Sequence, residues 1–181
     1  AVDALASKLE DPDAAVASAA AVALGRIGGD QAAKALEKSL GSGPAGTRSA
    51  AAQGCILCAE RFLDEGKSAK AARLYDTVRK ADVPQQRILE ATRGAILARE
   101  SDGLPLLLET LRSTDKAVFG LGLRTARELR GRAVTEALDA MEGVKLAKEK
   151  NTVRLEVRRL LEELLVQEKK IDLEARRKIE S

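Results

Sequence analysis

Asp11-Pro12-Asp13-Ala14-Ala15-Val16-Ala17-Ser18-Ala19-Ala20-Ala21-Val22-Ala23-Leu24-Gly25-Arg26-Ile27-Gly28 decides the fold. Asp11-Pro12 reads as an N-cap followed by proline at the first helical position, where a missing N–H costs nothing. The stretch between is rich in alanine and leucine, the strongest intrinsic helix formers. Gly28-Gly29-Asp30 then ends one helix and starts another, which places Ala33, Leu36 and Leu40 on a single face.

The same punctuation recurs along the chain. Val2 to Leu9 reads as the second helix of an incomplete pair. A loop is predicted over 41–46, a helix from Thr47 to Leu63, and a partner opened by Gly66-Lys67-Ser68 that presents Ala71, Leu74, Tyr75 and Val78. Pro84 opens a helix to Ala98, 102–112 forms a short partner with Leu107, Leu108 and Leu111, and 116–129 with 134–141 make a last pair. Pair openings fall at Pro12, Pro44, Pro84 and Asp115, at separations of 32, 40 and 31 residues. This is repeat spacing: each unit is two antiparallel helices that cannot bury their apolar stripes alone, so neighbours stack to share a core. No segment shows the period of two that a strand requires.

Composition excludes much chemistry. The 181 residues are 45% hydrophobic and 33% charged, which argues for a folded core. There is no histidine and no tryptophan, and the only aromatic residues are Phe62, Tyr75 and Phe119. An imidazole base, a histidine metal ligand, a Ser-His or Cys-His nucleophile pair and a platform for stacking bases are therefore all missing. Residues 1–143 carry 20 basic and 20 acidic side chains, while 144–181 carry 11 and 8, so the whole net charge of +3 sits in the last segment. We place a compositional boundary at Gly143, between helical repeats (1–143) and a charged amphipathic helical segment (144–181). A neutral repeat region makes nucleic acid an unfavoured partner, and no apolar run is long enough to span a membrane. Two cysteines offer no disulfide framework and fit a reducing compartment, which slightly favours the cytoplasm.

The Asp11–Gly28 stretch resembles a bacterial HEAT repeat of the phycobilisome-lyase-like type. In that pattern an acidic, proline-containing turn precedes a Val-Arg pair, an alanine-rich helix and Leu-Gly-x-Ile-Gly. Residue 17 is Ala where the pattern has Arg; Arg48 and Arg87 stand at the matching positions of the next two repeats, and Val118-Phe119 occupies the fourth. The resemblance implies an all-α fold: an α-solenoid of about four antiparallel helix pairs with a C-terminal helical cap. Residues 151–165 and 171–179 are similar to a family of short, charged bacterial proteins of unknown function, a resemblance that implies no activity. In this tail Val153, Val157, Leu160, Leu161, Leu164 and Leu165 form an apolar stripe. Arg158/Glu162 and Arg159/Glu163 are spaced as i,i+4 pairs, and Asp172 is placed to cap a final short helix.

Three motifs invite chemistry and fail on context. Cys55-Ile56-Leu57-Cys58 lacks the histidine of a haem attachment and two further zinc ligands, and it lies inside an apolar helix, so both sulfurs are predicted to fill the core. Gly41-Ser42-Gly43-Pro44-Ala45-Gly46 spells a dinucleotide fingerprint, but a helix precedes it where a strand is required. Gly66-Lys67-Ser68 ends like a phosphate loop, yet Arg61 stands where the first glycine belongs. Carboxylate pairs such as Asp11/Asp13 and Asp64/Glu65 fall at helix ends, where capping explains them. No catalytic, cofactor or metal residues are assigned, and no enzyme activity is expected.

Arg48 and Arg87 are predicted to form a structural ladder between adjacent repeats. The second helices of such a solenoid line its concave face, and their polar positions are Lys34, Lys38, Lys67, Lys70, Arg73, Glu109 and Arg112. This mostly basic strip is the candidate surface for a protein or peptide segment of acidic character. The leading expectation is a non-catalytic scaffold or protein-binding module. A HEAT-like protein that grips the DNA backbone, attachment of a bilin, and an engineered or fused chain with no evolved ligand are the alternatives. An uncapped N-terminal end, with the stripe of Ala1 to Leu9 exposed, also predicts self-association.

Overall fold

The computed structural model describes residues 1–129, 134–138 and 151–179. All regular structure among them is helical. Helices α1 (Val2–Lys8), α2 (Ala14–Ile27), α3 (Gly29–Ser42), α4 (Ala45–Asp64), α5 (Ser68–Arg79) and α6 (Gln85–Leu97) belong to one compact unit, Ala1–Arg99. The second unit, Glu100–Ser181, holds a 3-10 turn (Glu100–Gly103), α7 (Leu104–Leu111), α8 (Lys116–Glu128), helical residues 134–138 and a C-terminal helix (Asn151–Ile179). Packing thus divides the chain after Arg99, and the compositional boundary at Gly143 lies outside the described residues.

In the first unit each helix packs on its sequence neighbour and on the helix two ahead: α2 on α4 on α6, and α1 on α3 on α5. That is the packing of a helical-repeat solenoid, with two rows of helices sharing one interior. Leu24, Leu36, Leu74, Val78 and Ile96 are buried in it, as are the predicted Ala33, Leu40, Ala71 and Tyr75. The tightest seam joins α2 to α4. Alanines 17, 20 and 21 on one helix face Ala51 and Gly54 on the other, and a Cβ on Gly54 would lie 2.5 Å from the Ala21 carbonyl oxygen. Small residues let the two backbones touch.

Local chemistry sets the helix ends, with two shifts from the sequence reading. The cap of α2 is Asp13, whose Oδ1 accepts from the Ala15 N–H at 2.8 Å, while Asp11 turns the preceding chain by accepting from the Asp13 N–H at 3.0 Å. Asp115 caps α8 in the same way. The stretch read as a loop over 41–46 is almost all helix: α3 runs to Ser42 and α4 begins at Ala45, leaving only Gly43 and Pro44 between them. Gly28 and Gly29 make the sharp α2–α3 turn with φ of 74° and 83°, a left-handed backbone that side chains resist.

In the second unit, Leu107 and Leu111 of α7 are fully buried beside Phe119, Leu121 and Ala126 of α8. The C-terminal helix lies on α8 and buries Val157, Leu160, Leu161 and Leu164. Leu165, from the predicted stripe, is 42% exposed. Glu163 reaches Arg127 of α8 at 2.9 Å, a tertiary pair in place of the expected local partner Arg159, whereas Arg158 and Glu162 do pair, at 3.4 Å. The break expected at Asp172 does not occur, because 151–179 contains neither glycine nor proline to stop the helix. Of the helix expected over 134–141, residues 134–138 are helical and the remainder lies outside the described residues.

Candidate interaction surface

The basic residues of the predicted strip are exposed, and most of them already face a carboxylate. Lys38 of α3 reaches Glu10 at 3.0 Å; Lys70 of α5 donates to both Asp30 oxygens at 2.7 Å; Arg73 stands 3.6 Å from Glu37; Lys67 lies 2.7 Å from Glu65. The Lys70 hydrogen bond draws the Asp30 carboxyl below its ordinary pKa, helped by Lys67 and by exposed Lys34. The Lys67 and Lys70 ammonium groups also sit 6.0 and 5.6 Å from the centre of the buried Phe62 ring, close enough for cation–π attraction. Glu109 and Arg112 are exposed on α7, in the second unit.

The residues missed by the sequence reading are the partners. Asp3 pairs with Gln31 and Glu10 with Lys38, each 28 positions on; Asp30 pairs with Lys70 and Glu37 with Thr77, each 40 positions on. In both sets the two ties are seven residues apart, which on α3 and α5 is two helical turns along one face, while Glu10 lies just past the end of α1. The readable signal was therefore a pair of acids at i,i+7 matched by a polar pair at i,i+7 one repeat later. The strip is a laced seam of both charges, and each exposed pair contributes little alone.

On the other row, Arg48 reaches Asp82 at 2.9 Å, and its buried Nε has no partner among the described residues. Arg87 bonds Glu90 on its own helix at 2.7 Å and Gln53 of α4 at 3.0 Å. Asp76 of α5 binds both Arg79 and Arg99, and Arg79 also donates to Thr92, so this cluster ties α5 to α6 and the residues that follow it.

Cys55 and Cys58 are both buried and free. Burial raises both thiol pKa values, that of Cys58 to about 11, and the Cys58 thiol donates weakly to the Gly29 carbonyl at 3.8 Å. Thiolate is the reactive form, so labelling by a disulfide reagent at pH 7 without denaturant is expected to be slow for both. It should still accelerate about tenfold per pH unit up to pH 9, because pH 9 is below the Cys58 value. Fast, complete labelling at pH 7 would contradict the burial.

Among the described residues no three His, Cys, Asp or Glu side chains cluster as a metal site would require, and no helix is long and apolar enough to cross a membrane. The described residues include two shallow clefts. One of about 280 Å³ lies beside Leu9, Glu10, Lys38 and Ser39 in the first unit; the other, of about 380 Å³, lies beside Arg127, Leu129, Leu164 and Ile171 in the second.

Residues 1–55 match the HEAT repeats family. No curated protein matches the chain. Among solved structures, the crystal structure of an engineered protein is similar, with a TM-score of 0.37 and 19% sequence identity over 91% of this chain and 96% of that one. The chain is an all-α helical-repeat protein, and the family match supports a HEAT-repeat helical fold over residues 1–55.

Proposed function

We propose that the chain is a non-catalytic scaffold or protein-binding module, with the 1–143 repeats as the binding part and 144–181 as a charged amphipathic cap. The interaction surface is the second-helix row of the first unit carrying Lys34, Lys38, Lys67, Lys70 and Arg73; in the second unit, taken by itself, the candidate contacts are Glu109 and Arg112. The observation that carries this reading is the laced seam itself. Glu10–Lys38 and Asp30–Lys70 link neighbouring repeats whose packed helices hold the row rigid, so it presents exposed cations at fixed positions. A stiff surface loses little entropy on binding. The partner is a protein or peptide segment of acidic character, which must displace Glu10, Asp30, Glu37 or Glu65 from their cations; affinity is modest and falls with salt. The same carboxylates make the surface a poor clamp for a DNA backbone, which needs unanswered positive charge. The phycobilisome-lyase-like resemblance remains a matter of repeat type and adds no bilin chemistry to this row.

The test is fluorescence anisotropy of a labelled oligo-glutamate peptide against the wild type and a Lys70→Glu/Arg73→Glu variant. At least about a tenfold loss of affinity is expected, since each reversal replaces attraction by repulsion. Equal binding by both proteins would remove the strip from consideration. Tighter binding of a DNA duplex than of the peptide, with a steep salt slope, would favour the DNA reading.

A further inference from the structure

Ser39 differs from the other buried hydroxyls. Thr47, Thr92, Thr110, Thr125 and Thr135 are buried, and each hydrogen-bonds a carbonyl or a carboxylate. Ser39 of α3 is 9% exposed and has no hydrogen-bond partner among the described residues. It forgoes even the carbonyl four residues back, which mid-helix hydroxyls commonly take. An unused buried hydroxyl calls for a partner. Ser39 lines the cleft of about 280 Å³ in the first unit, between apolar walls of Ala6, Leu9, Ala35 and Pro44. The cleft arises from unequal helix lengths. Asp3–Gln31 and Glu10–Lys38 set α1 beside α3 at an offset of 28 residues, yet α1 stops at Lys8 while α3 continues to Ser42. The last turn of α3 is thus left without a helical residue of α1 opposite it. Gly43 keeps the space open, since a Cβ there would lie 3.3 Å from the Ser39 hydroxyl and 2.3 Å from its carbonyl oxygen.

We propose that this cleft is the anchoring subsite of the second-helix row. It takes one bulky apolar side chain, such as phenylalanine or leucine, of an acidic peptide segment whose neighbouring carboxylate binds Lys38. The inference rests on the binding role proposed for that row. Size selects a side chain: a cavity of about 150 Å³ holds a benzene ring, and small-molecule sites begin at about 300 Å³. The apolar walls take the side chain out of water, and the Ser39 hydroxyl bonds the peptide main chain beside it. Lys38 stands at the rim, paired with Glu10. Both groups of that pair are exposed, so a carboxylate of the peptide displaces Glu10 at little cost. A basic segment would meet Glu10 but also Lys38 and, one turn away on the same face, exposed Lys34.

The test is fluorescence anisotropy of the full chain with two labelled oligo-glutamate peptides, one carrying a central Phe and the other Ala in its place. The Phe peptide is expected to bind about tenfold tighter. Ala35→Leu fills the cleft from its α3 wall and should bring the Phe peptide down to the affinity of the Ala peptide. Ala6→Leu should do the same from the α1 wall, and it decides if Ala35→Leu fails to fold by circular dichroism. Ser39→Ala should weaken the Phe peptide about fivefold. Equal binding of the two peptides by the wild type, a Phe preference that survives both leucine substitutions, or a Phe peptide indifferent to Ser39→Ala would each overturn the subsite. Lys70→Glu/Arg73→Glu separates this inference from the reading beneath it. If the row binds and the cleft does not, both peptides bind equally and both weaken on that reversal. If the cleft binds and the rest of the row does not, the Phe preference persists and the reversal changes neither affinity.

Discussion

Gly54→Val is expected to be strongly destabilising to the first unit. A side chain there finds the Ala21 carbonyl oxygen at 2.5 Å, the Ala21 carbonyl carbon at 3.1 Å and a Leu36 methyl at 2.6 Å from the first added carbon alone. Leu36 could rotate away, but the α2 backbone cannot move without opening the seam that buries Ala17, Ala20 and Leu24. Overpacking a core costs about 1–3 kcal/mol where side chains can adjust. With backbone as the obstacle we expect about 3 kcal/mol or more for valine and somewhat less for Gly54→Ala. The measurement is urea unfolding, with Gly46→Ala as control: nothing lies within 4 Å of that position, and alanine there should be neutral or stabilising by up to about 1 kcal/mol. A second arm isolates the cause. Leu36→Ala alone should cost about 2–5 kcal/mol as a cavity. Combined with Gly54→Ala it should cost less than the sum, since one of the two clashes is gone. An unfolding midpoint unchanged by Gly54→Val would show that α2 and α4 do not touch as described.

Leu160→Asp should have a comparable effect on the second unit. Leu160 and Val157 are fully buried where the C-terminal helix lies on α8. A carboxylate there must either stay charged in an apolar seam or be protonated at neutral pH, and either outcome costs several kcal/mol. Releasing the helix costs less, so we expect detachment: protease cleavage within 151–179 and faster amide exchange in α8. Leu173→Asp, at a position 58% exposed, should change neither. Equal resistance of the wild type and Leu160→Asp to proteolysis would place the apolar contact elsewhere on the helix.

How far the sequence could be read depends on the range of the interaction involved. Helix identity and approximate ends are local matters: alanine-rich runs, Asp115 as a helix opening and Gly28-Gly29 as a turn act within a few residues of themselves, while the cap of α2 falls at Asp13, two residues past the Asp11 that the sequence suggested. The stacking of pairs followed from the 32, 40 and 31 residue spacing, because one pair cannot bury its own stripe. Cys55 and Cys58 were placed in the core by the same apolar periodicity. The loop read over 41–46 was mostly helix because glycine weakens a helix by only about 1 kcal/mol, which the packing of Leu40 and Thr47 overrides.

The sequence by itself determined a stack of helical pairs, the faces those helices bury and the absence of imidazole chemistry, since propensity, periodicity and composition need no partner. Only the tertiary structure decided which charges answer each other. Lys70 finds Asp30 forty positions away and Glu163 leaves Arg159 for Arg127, so a strip that reads as basic is in fact laced with acids. The physical reason is distance. Electrostatic pairing depends on where neighbouring repeats bring their side chains, and that depends on close contacts such as Gly54 on Ala21, whose geometry no local pattern carries.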